Sequence, residues 1–327
     1  MDALANGDRL DQPVPLVHVG YHKTGTNWLQ EELFGNPRTG YRWLGKQPLT
    51  HPVHTLVRAR PFDFDAAAVR TEFEPMLRDA KGAGLLPVVS FPRLSGHPYS
   101  GGYDSRMIAD RVAEVFPEAR ILIVIREQRS MIVSTYKQYV NAGGEARLEH
   151  FLQPAKQREW RVPGFDYGHF AYDRLIGHYR SLYGGDNVLV LPYEQFVRDA
   201  RGFVEAIARF AGRELPSEVL EELPFARRSN AAQSALAVGL ARPLNRFRQR
   251  SDLNLEPLFE SRLLSRTGTR IRRADLLGSP VTRRAAARSE TRLREAVAAA
   301  VGTRYVAGNG ETMRMTGLDL GALGWQV

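Results

Sequence analysis

Lys23, Thr24, Gly25 and Thr26 bring together a compact ammonium, two hydroxyl donors and a residue free to turn the backbone. A group of that composition can hold a phosphate or another oxyanion. The four stand inside residues 16–34, LVHVGYHKTGTNWLQEELF. Leu16, Val17 and Val19 read as a short buried strand ending at Gly20. Residues 27–34 have helical content, with Trp28, Leu29 and Leu33 placed to face inward. A loop entering a helix offers unpaired N–H groups and the positive end of the helix dipole to an anion. In a nucleotide-triphosphatase loop, GxxxxGK[ST], the lysine follows the last glycine. Here Lys23 precedes Gly25, and GK[ST] occurs nowhere in the chain. The alternative, an ordinary strand–turn–helix with a surface lysine, is the weaker reading of the stretch.

A second cluster narrows the choice. Arg120–Ile125, RILIVI, is the strongest buried-strand signal in the chain, and it ends in Arg126. The polar residues EQRS lead into a helix expected from about Met131 to Val140, with Ser134 about one turn in. An arginine at a strand's end and a serine on the next helix can converge on one phosphate, the arginine with two prongs and the serine with a hydroxyl.

The elements that would position these residues alternate between strand and helix. Residues 35–64 carry several prolines and read as an extended loop. Residues 65–81 are helical, capped by Asp65 and closed by Gly82 and Gly84. A second buried strand, LLPVVSF at 85–91, should begin near Val88 because of Pro87. The loop 92–103 is glycine-rich and holds Arg93, Ser95, His97 and Ser100. Asp104 can cap a helix running to Phe116, an amphipathic helix spans 167–183, and Val188 to Leu191 form the next strand. Such alternation implies a parallel sheet with right-handed crossovers and ligands beyond the strands' C-terminal ends. Residues 20–26, 92–100, Arg126 and Tyr193 all fall at that end. From about Ser217 no strong strand signal remains, and Leu293, Val297, Ala300 and Val301 have helical spacing.

These motifs together resemble the sulfotransferases that use 3′-phosphoadenosine 5′-phosphosulfate (PAPS). HKTGTNWL at 22–29 is similar to that family's KxGTxWL loop, so the resemblance implies that His22, Lys23, Thr24, Gly25, Thr26, Asn27 and Trp28 surround the 5′-phosphosulfate. Arg126 and Ser134 have the eight-residue spacing of the family's pair on the 3′-phosphate. VLVLPYEQF at 188–196 looks like the family's strand and Tyr-Glu pair, placing Tyr193 near the adenine. ARRSN at 226–230, with Arg228, resembles a late basic loop that closes on the nucleotide. The resemblance covers about residues 16–230. Asn27 stands where threonine is frequent, and no KTHLP-like segment supplies the base histidine of the soluble eukaryotic enzymes. The implied fold is α/β, a P-loop-like three-layer architecture with a central parallel sheet flanked by helices. Residues 1–230 would form the PAPS-binding core and 231–327 a helical portion packed on it, as one continuous domain.

Composition fits an enzyme of this kind. At 327 residues with 43% apolar content the chain can bury one large core. There are no cysteines, which removes disulfides, thiol chemistry and cysteine metal sites. The start, MDALANGDRLDQ, has no signal-peptide pattern, and no run reaches the roughly 18 apolar residues of a membrane span. A bacterial, cytoplasmic protein without a transmembrane segment is the expectation. The net charge of +9 is concentrated late, with sixteen arginines, five acids and no lysine between Arg227 and Arg294. That bias suits nucleic acid, an anionic donor or acidic glycan, or simply a solvated helix face carrying Arg283, Arg284, Arg288, Arg292 and Arg294. Aromatics do not interleave with the arginines as in single-strand binders, so nucleic acid is disfavoured.

The chemistry expected is sulfuryl transfer from PAPS to a hydroxyl or amine of a small-molecule, lipid or carbohydrate acceptor, leaving adenosine 3′,5′-bisphosphate. Lys23 would stabilise the leaving phosphate. No metal is required by an activated anhydride, and His51 and His54 lack a third ligand in view. For the base, His51 ranks first and His97 is its rival, with His54, Asp63 and Asp65 in the same long connection as His51. The other two readings are a kinase-like phosphotransferase with an altered loop, and a non-catalytic protein that binds nucleotide or nucleic acid. The acceptor and the oligomeric state are not encoded in any motif.

Overall fold

The apolar runs become five parallel strands in a computed structural model that describes residues 14–45, 51–153, 164–227, 234–247 and 280–327. They are β1 (Leu16–Gly20), β2 (Tyr41–Trp43), β3 (Leu86–Ser90), β4 (Arg120–Ile125) and β5 (Val188–Pro192), in the order β2-β3-β1-β4-β5. Val17 lies opposite both Val89 and Ile121, and Ile123 opposite Val190. A parallel sheet must be covered on both faces, so successive residues of each strand enter different cores. Val17, Val19, Ile121, Ile123 and Ile125 join one. Leu16, Val88, Leu122 and Val124 join the other.

The first core is closed by α2 (Pro52–Arg58), α3 (Ala66–Gly82), α4 (Ser105–Val115), α5 (Gln128–Asn141) and α7 (Tyr172–Tyr183). The short α6 (Leu148–Phe151) adds Leu148 and Phe151 to it. The second is closed by α1 (Thr26–Trp28), which continues as a π-helical turn over Leu29–Phe34, and by α9 (Ala200–Ala211) and α10 (Ser217–Glu222). Between β5 and α9 lies α8 (Tyr193–Arg198). Beyond residue 217 the described chain is helical: α11 (Ala235–Ala241), α12 (Pro280–Val301) and α13 (Val306–Thr316). Lys137 of α5 donates to Glu290 of α12 at 2.6 Å, and Gln128 of α5 donates to the Asn309 side chain of α13 at 2.6 Å. The three-layer α/β expectation and its helical C-terminal portion hold.

Several local readings need correction. The stretch 35–64 is not one extended loop, since it contains edge strand β2 and helix α2. Pro87 lies inside β3 rather than before it. Toward β1 the pairing starts only at Val88, opposite Leu16, so the missing proline N–H costs no bond there. Helix α5 begins at Gln128, because the Glu127 carboxylate accepts from the N–H groups of Arg129 and Ser130. Ser134 is therefore about two turns into the helix. Asp104 precedes α4 but makes no side-chain cap; it pairs with Arg93 at 3.0 Å. The 167–183 segment is a 3-10 turn (Tyr167–Phe170) followed by α7. By contrast Asp65 caps α3 through Ala67 and Ala68, as expected.

His18 of β1 is enclosed, with Nδ1 2.8 Å from the Ser90 hydroxyl, and burial pushes its imidazole down to about 3. The folded value lies below the ordinary 6.5, so this stabilisation is complete above pH 6.5 and is lost as pH falls toward 3. The loss approaches about 1.4 kcal/mol per pH unit for one such group. Calorimetry of His18→Asn should show a shallower decline in Tm between pH 6.5 and 4.5 than the wild type shows. Parallel declines would assign the acid loss to other groups.

Candidate functional site

Beyond the C-terminal ends of β1 and β4 the two sequence clusters meet. The loop after β1 is stitched to itself: the Thr24 hydroxyl donates to the Tyr21 carbonyl at 2.6 Å and lies 3.4 Å from the Thr26 hydroxyl. Thr24 and Thr26 are both buried. Lys23 has φ 69°, the one non-glycine residue among those described with positive φ, and Gly25 has φ 81°. Left-handed residues in a loop are the means by which successive N–H groups turn toward one side, and a lysine held there costs about 1 kcal/mol or more. Thr26 then opens α1 directly from the loop, with no side-chain cap.

Arg126 locks this loop to β4. Its guanidinium donates to the Lys23 carbonyl at 3.0 Å and to the Ser130 hydroxyl at 3.0 Å, and it lies 5.0 Å from the centre of the Tyr193 ring. A Cβ built on Gly25 would meet that same ring at 3.4 Å, so Tyr193 packs against the loop at Gly25, where the φ of 81° favours glycine. Partial burial, and next the Arg126 charge, lower the Lys23 pKa. Arg126, Glu127, Ser130, Tyr193, Glu194 and Arg198 line a cavity of about 350 Å³. Two arginines, a hydroxyl and an aromatic face around a space of that size suit a phosphorylated purine nucleoside.

Trp28 anchors the loop from behind. Its indole donates to the Pro224 carbonyl at 3.2 Å, and its ring stacks on Phe225 at 5.6 Å. Arg227 reaches Glu32 at 2.6 Å, so the late basic segment approaches the first helix. Arg228 lies outside the described residues. Asn27 is exposed beside the loop.

The histidines separate into two environments. His97 follows β3, and its ring lies 5.9 Å from that of His22. Its Nδ1 accepts from the Tyr99 N–H at 3.1 Å. His22 is pushed down to about 3, chiefly by burial, then by His97, Arg93 and Lys23. His51 instead caps α2, where its Nδ1 accepts from the Val53 N–H at 3.2 Å and its ring meets Phe73 edge-on at 5.7 Å. Burial, and next His54, lower its pKa. His54 meets Phe91 edge-on at 5.0 Å. The fold brings His97 to the loop and sets His51 in the core.

Ser134 is half-buried and makes no hydrogen bond among the described residues, whereas Ser130, one turn earlier on the same face, holds Arg126. In sequence Ser130 reads only as part of the polar run EQRS. Its signal was the Glu at position 127, which moves the helix start and aligns both serines. Among the described residues no three His, Asp or Glu side chains gather as a metal site, and no helix is long and apolar enough to cross a membrane.

A family model described as "Sulfotransferase family" matches residues 106–217, from α4 through the Arg126 site to α10. Over that third of its length the chain is similar to the sulfotransferase family. Among curated sulfotransferases, the 3-beta-hydroxysteroid sulfotransferase of Cavia porcellus is 25% identical over 215 residues, which is 63% of this chain and 61% of that protein. Sulfotransferase 2A2 of Rattus norvegicus is 24% identical over 214 residues, again 63% and 61%. The chain thus spans about three-fifths of the length of the curated relatives it matches. A solved sulfotransferase from Alicyclobacillus acidocaldarius aligns at 17% identity and TM-score 0.48, covering 77% of this chain and 98% of that one.

Proposed function

We propose that this protein transfers a sulfuryl group from PAPS to a hydroxyl or amine of a small-molecule, lipid or carbohydrate acceptor, releasing adenosine 3′,5′-bisphosphate. The observation that carries this reading is the Arg126 contact with the Lys23 carbonyl, which joins two anion-binding motifs separated by 103 residues in sequence. In the reaction the acceptor oxygen forms a bond to sulfur while the bond from sulfur to the bridging phosphate oxygen breaks. The electron pair stays on the departing phosphate, and the acceptor loses one proton. Lys23 supplies positive charge where that oxygen becomes anionic. Arg126, with Ser130 and Ser134 on one face of α5, supplies the 3′-phosphate side, and Tyr193 the face for adenine.

For the proton we assign His97. Its Nδ1 receives the Tyr99 N–H, so the neutral ring carries its own proton on Nε2. Taking a proton therefore requires the ring to release Tyr99 or turn over. A row of aromatic rings leads away from it: Tyr99 at 4.9 Å, then Tyr139 at 5.8 Å from Tyr99, then Phe151 at 4.9 Å from Tyr139. Those faces favour an acceptor that carries an apolar or ring portion beside its hydroxyl.

Adenosine 3′,5′-bisphosphate should raise Tm more than ADP at equal concentration, because only the former has a 3′-phosphate for Arg126. Equal shifts would remove the donor assignment, and Arg126→Ala should abolish the preference.

Turnover should fall by about 10²–10³ in Lys23→Met with little change in bisphosphate affinity. A Lys23→Met enzyme with near-normal kcat would exclude the leaving-group role.

Asparagine can replace histidine as a cap, which separates packing from proton transfer. His97→Asn should keep its Tm yet lose about 10²–10⁴ in rate together with the acidic limb of the pH profile. His51→Asn should keep both rate and limb. The reverse pattern would return the base to His51.

A further inference from the structure

The carboxylate of Glu194 is half-buried beside the Arg126 site, and partial burial pushes its pKa up. A negative charge in such a pocket weakens binding of a phosphate unless it serves to position something. Its two oxygens are divided. Oε1 accepts from the backbone N–H of Glu127 at 3.1 Å, and Oε2 accepts from the indole N–H of Trp325 at 3.2 Å. Glu127 directly follows Arg126. On the other side, the Arg126 carbonyl accepts from the Tyr172 hydroxyl at 2.7 Å, and the Tyr172 ring lies 5.9 Å from that of Trp325. The backbone that aims the Arg126 guanidinium is thus held on both sides by groups that touch Trp325.

Residues 320–327 are fixed in place by further contacts that converge on the same wall. Arg198 donates to the Ala322 carbonyl at 2.8 Å and Arg129 to the Gly324 carbonyl at 3.4 Å. Asn309, itself paired with Gln128 of α5, donates to the Gln326 carbonyl at 2.7 Å. Leu320 and Trp325 are buried, and Leu323 and Gly324 line the same 350 Å³ cavity as Arg126 and Tyr193. Residues 320–327 lie about a hundred positions beyond residue 217, where the family match ends.

We propose that residues 320–327 are a latch on the nucleotide pocket, in which Trp325 acts through Glu194 to set the position of Arg126 and hence the affinity for a 3′-phosphorylated adenosine. Glu194 and Trp325 are positioning residues. The proposal rests on the PAPS reading of the pocket. Its logic is specific about hydrogen. In Glu194→Gln the amide oxygen can still receive the Glu127 N–H, but the amide NH2 then faces the Trp325 N–H, donor against donor. In Trp325→Phe the ring packing is kept while the N–H is removed.

The test is a double-mutant cycle on the equilibrium Kd for adenosine 3′,5′-bisphosphate, with Tm recorded for each protein. Each single variant should bind about tenfold more weakly, equivalent to about 1.4 kcal/mol. The double variant should also be about tenfold weaker rather than a hundredfold, because both changes remove one shared contact. The donor KM should rise in step with Kd and by more than kcat falls. Folded Trp325→Phe protein with wild-type Kd, or additive effects in the double variant, would overturn the latch. A wild type that binds the bisphosphate no better than ADP would instead bring down the donor reading on which it rests.

Discussion

The guanidinium of Arg126 is the constraint on which the site depends. It joins the end of β4 to the loop after β1 through the Lys23 carbonyl, reaches Ser130 on α5, and lies over Tyr193 at the start of α8. Four segments, drawn from three separate parts of the chain, are thus held by one planar cation with fixed donor directions. Lysine could supply the charge but not that fork. The same contact helps hold Lys23 in its left-handed conformation, which a loop without a partner would relax.

The division of the sheet's side chains explains why this constraint is firm. Every residue of β4 after Arg120 is buried, in alternation between the two cores. A strand packed on both faces cannot shift by one residue without exchanging its cores, so the position of Arg126 at its end is fixed to within the packing tolerance of the interior. β1 is held equally, between β3 and β4. Precision in the loops derives from the regular structure beneath them.

What was legible in the sequence follows from range. The strands β1 and β4, the loop and Arg126 are local patterns, and each can be read within about ten residues. β2 is only three residues long and stands between prolines, so no periodicity announces it. The helix α2 was hidden because its cap is a histidine, His51, a residue type more readily read as chemistry. His51 and His97 are alike as sequence, since each precedes a proline and each accepts the N–H two residues on. Only packing distinguishes a ring against Phe73 in the core from one beside His22 at the loop. The contact of Trp325 with Glu194 spans 131 residues and has no local signature at all.

The strand order also dictates when the site can exist during synthesis. β1 emerges early, yet its partners among the described residues are β3 and β4, so residues 16–20 have nothing to pair with until residue 90 has been made. At ribosomal rates of roughly 5–20 residues per second, the apolar run LVHVG waits on the order of 4–14 seconds unpaired. During that interval a β-branched strand is open to capture by a chaperone or by another nascent chain. The wall formed by Leu323 and Gly324 comes later still, so the pocket is finished only about two hundred residues after the sheet's central strands. A chain stalled before that point would have a complete sheet and an incomplete site.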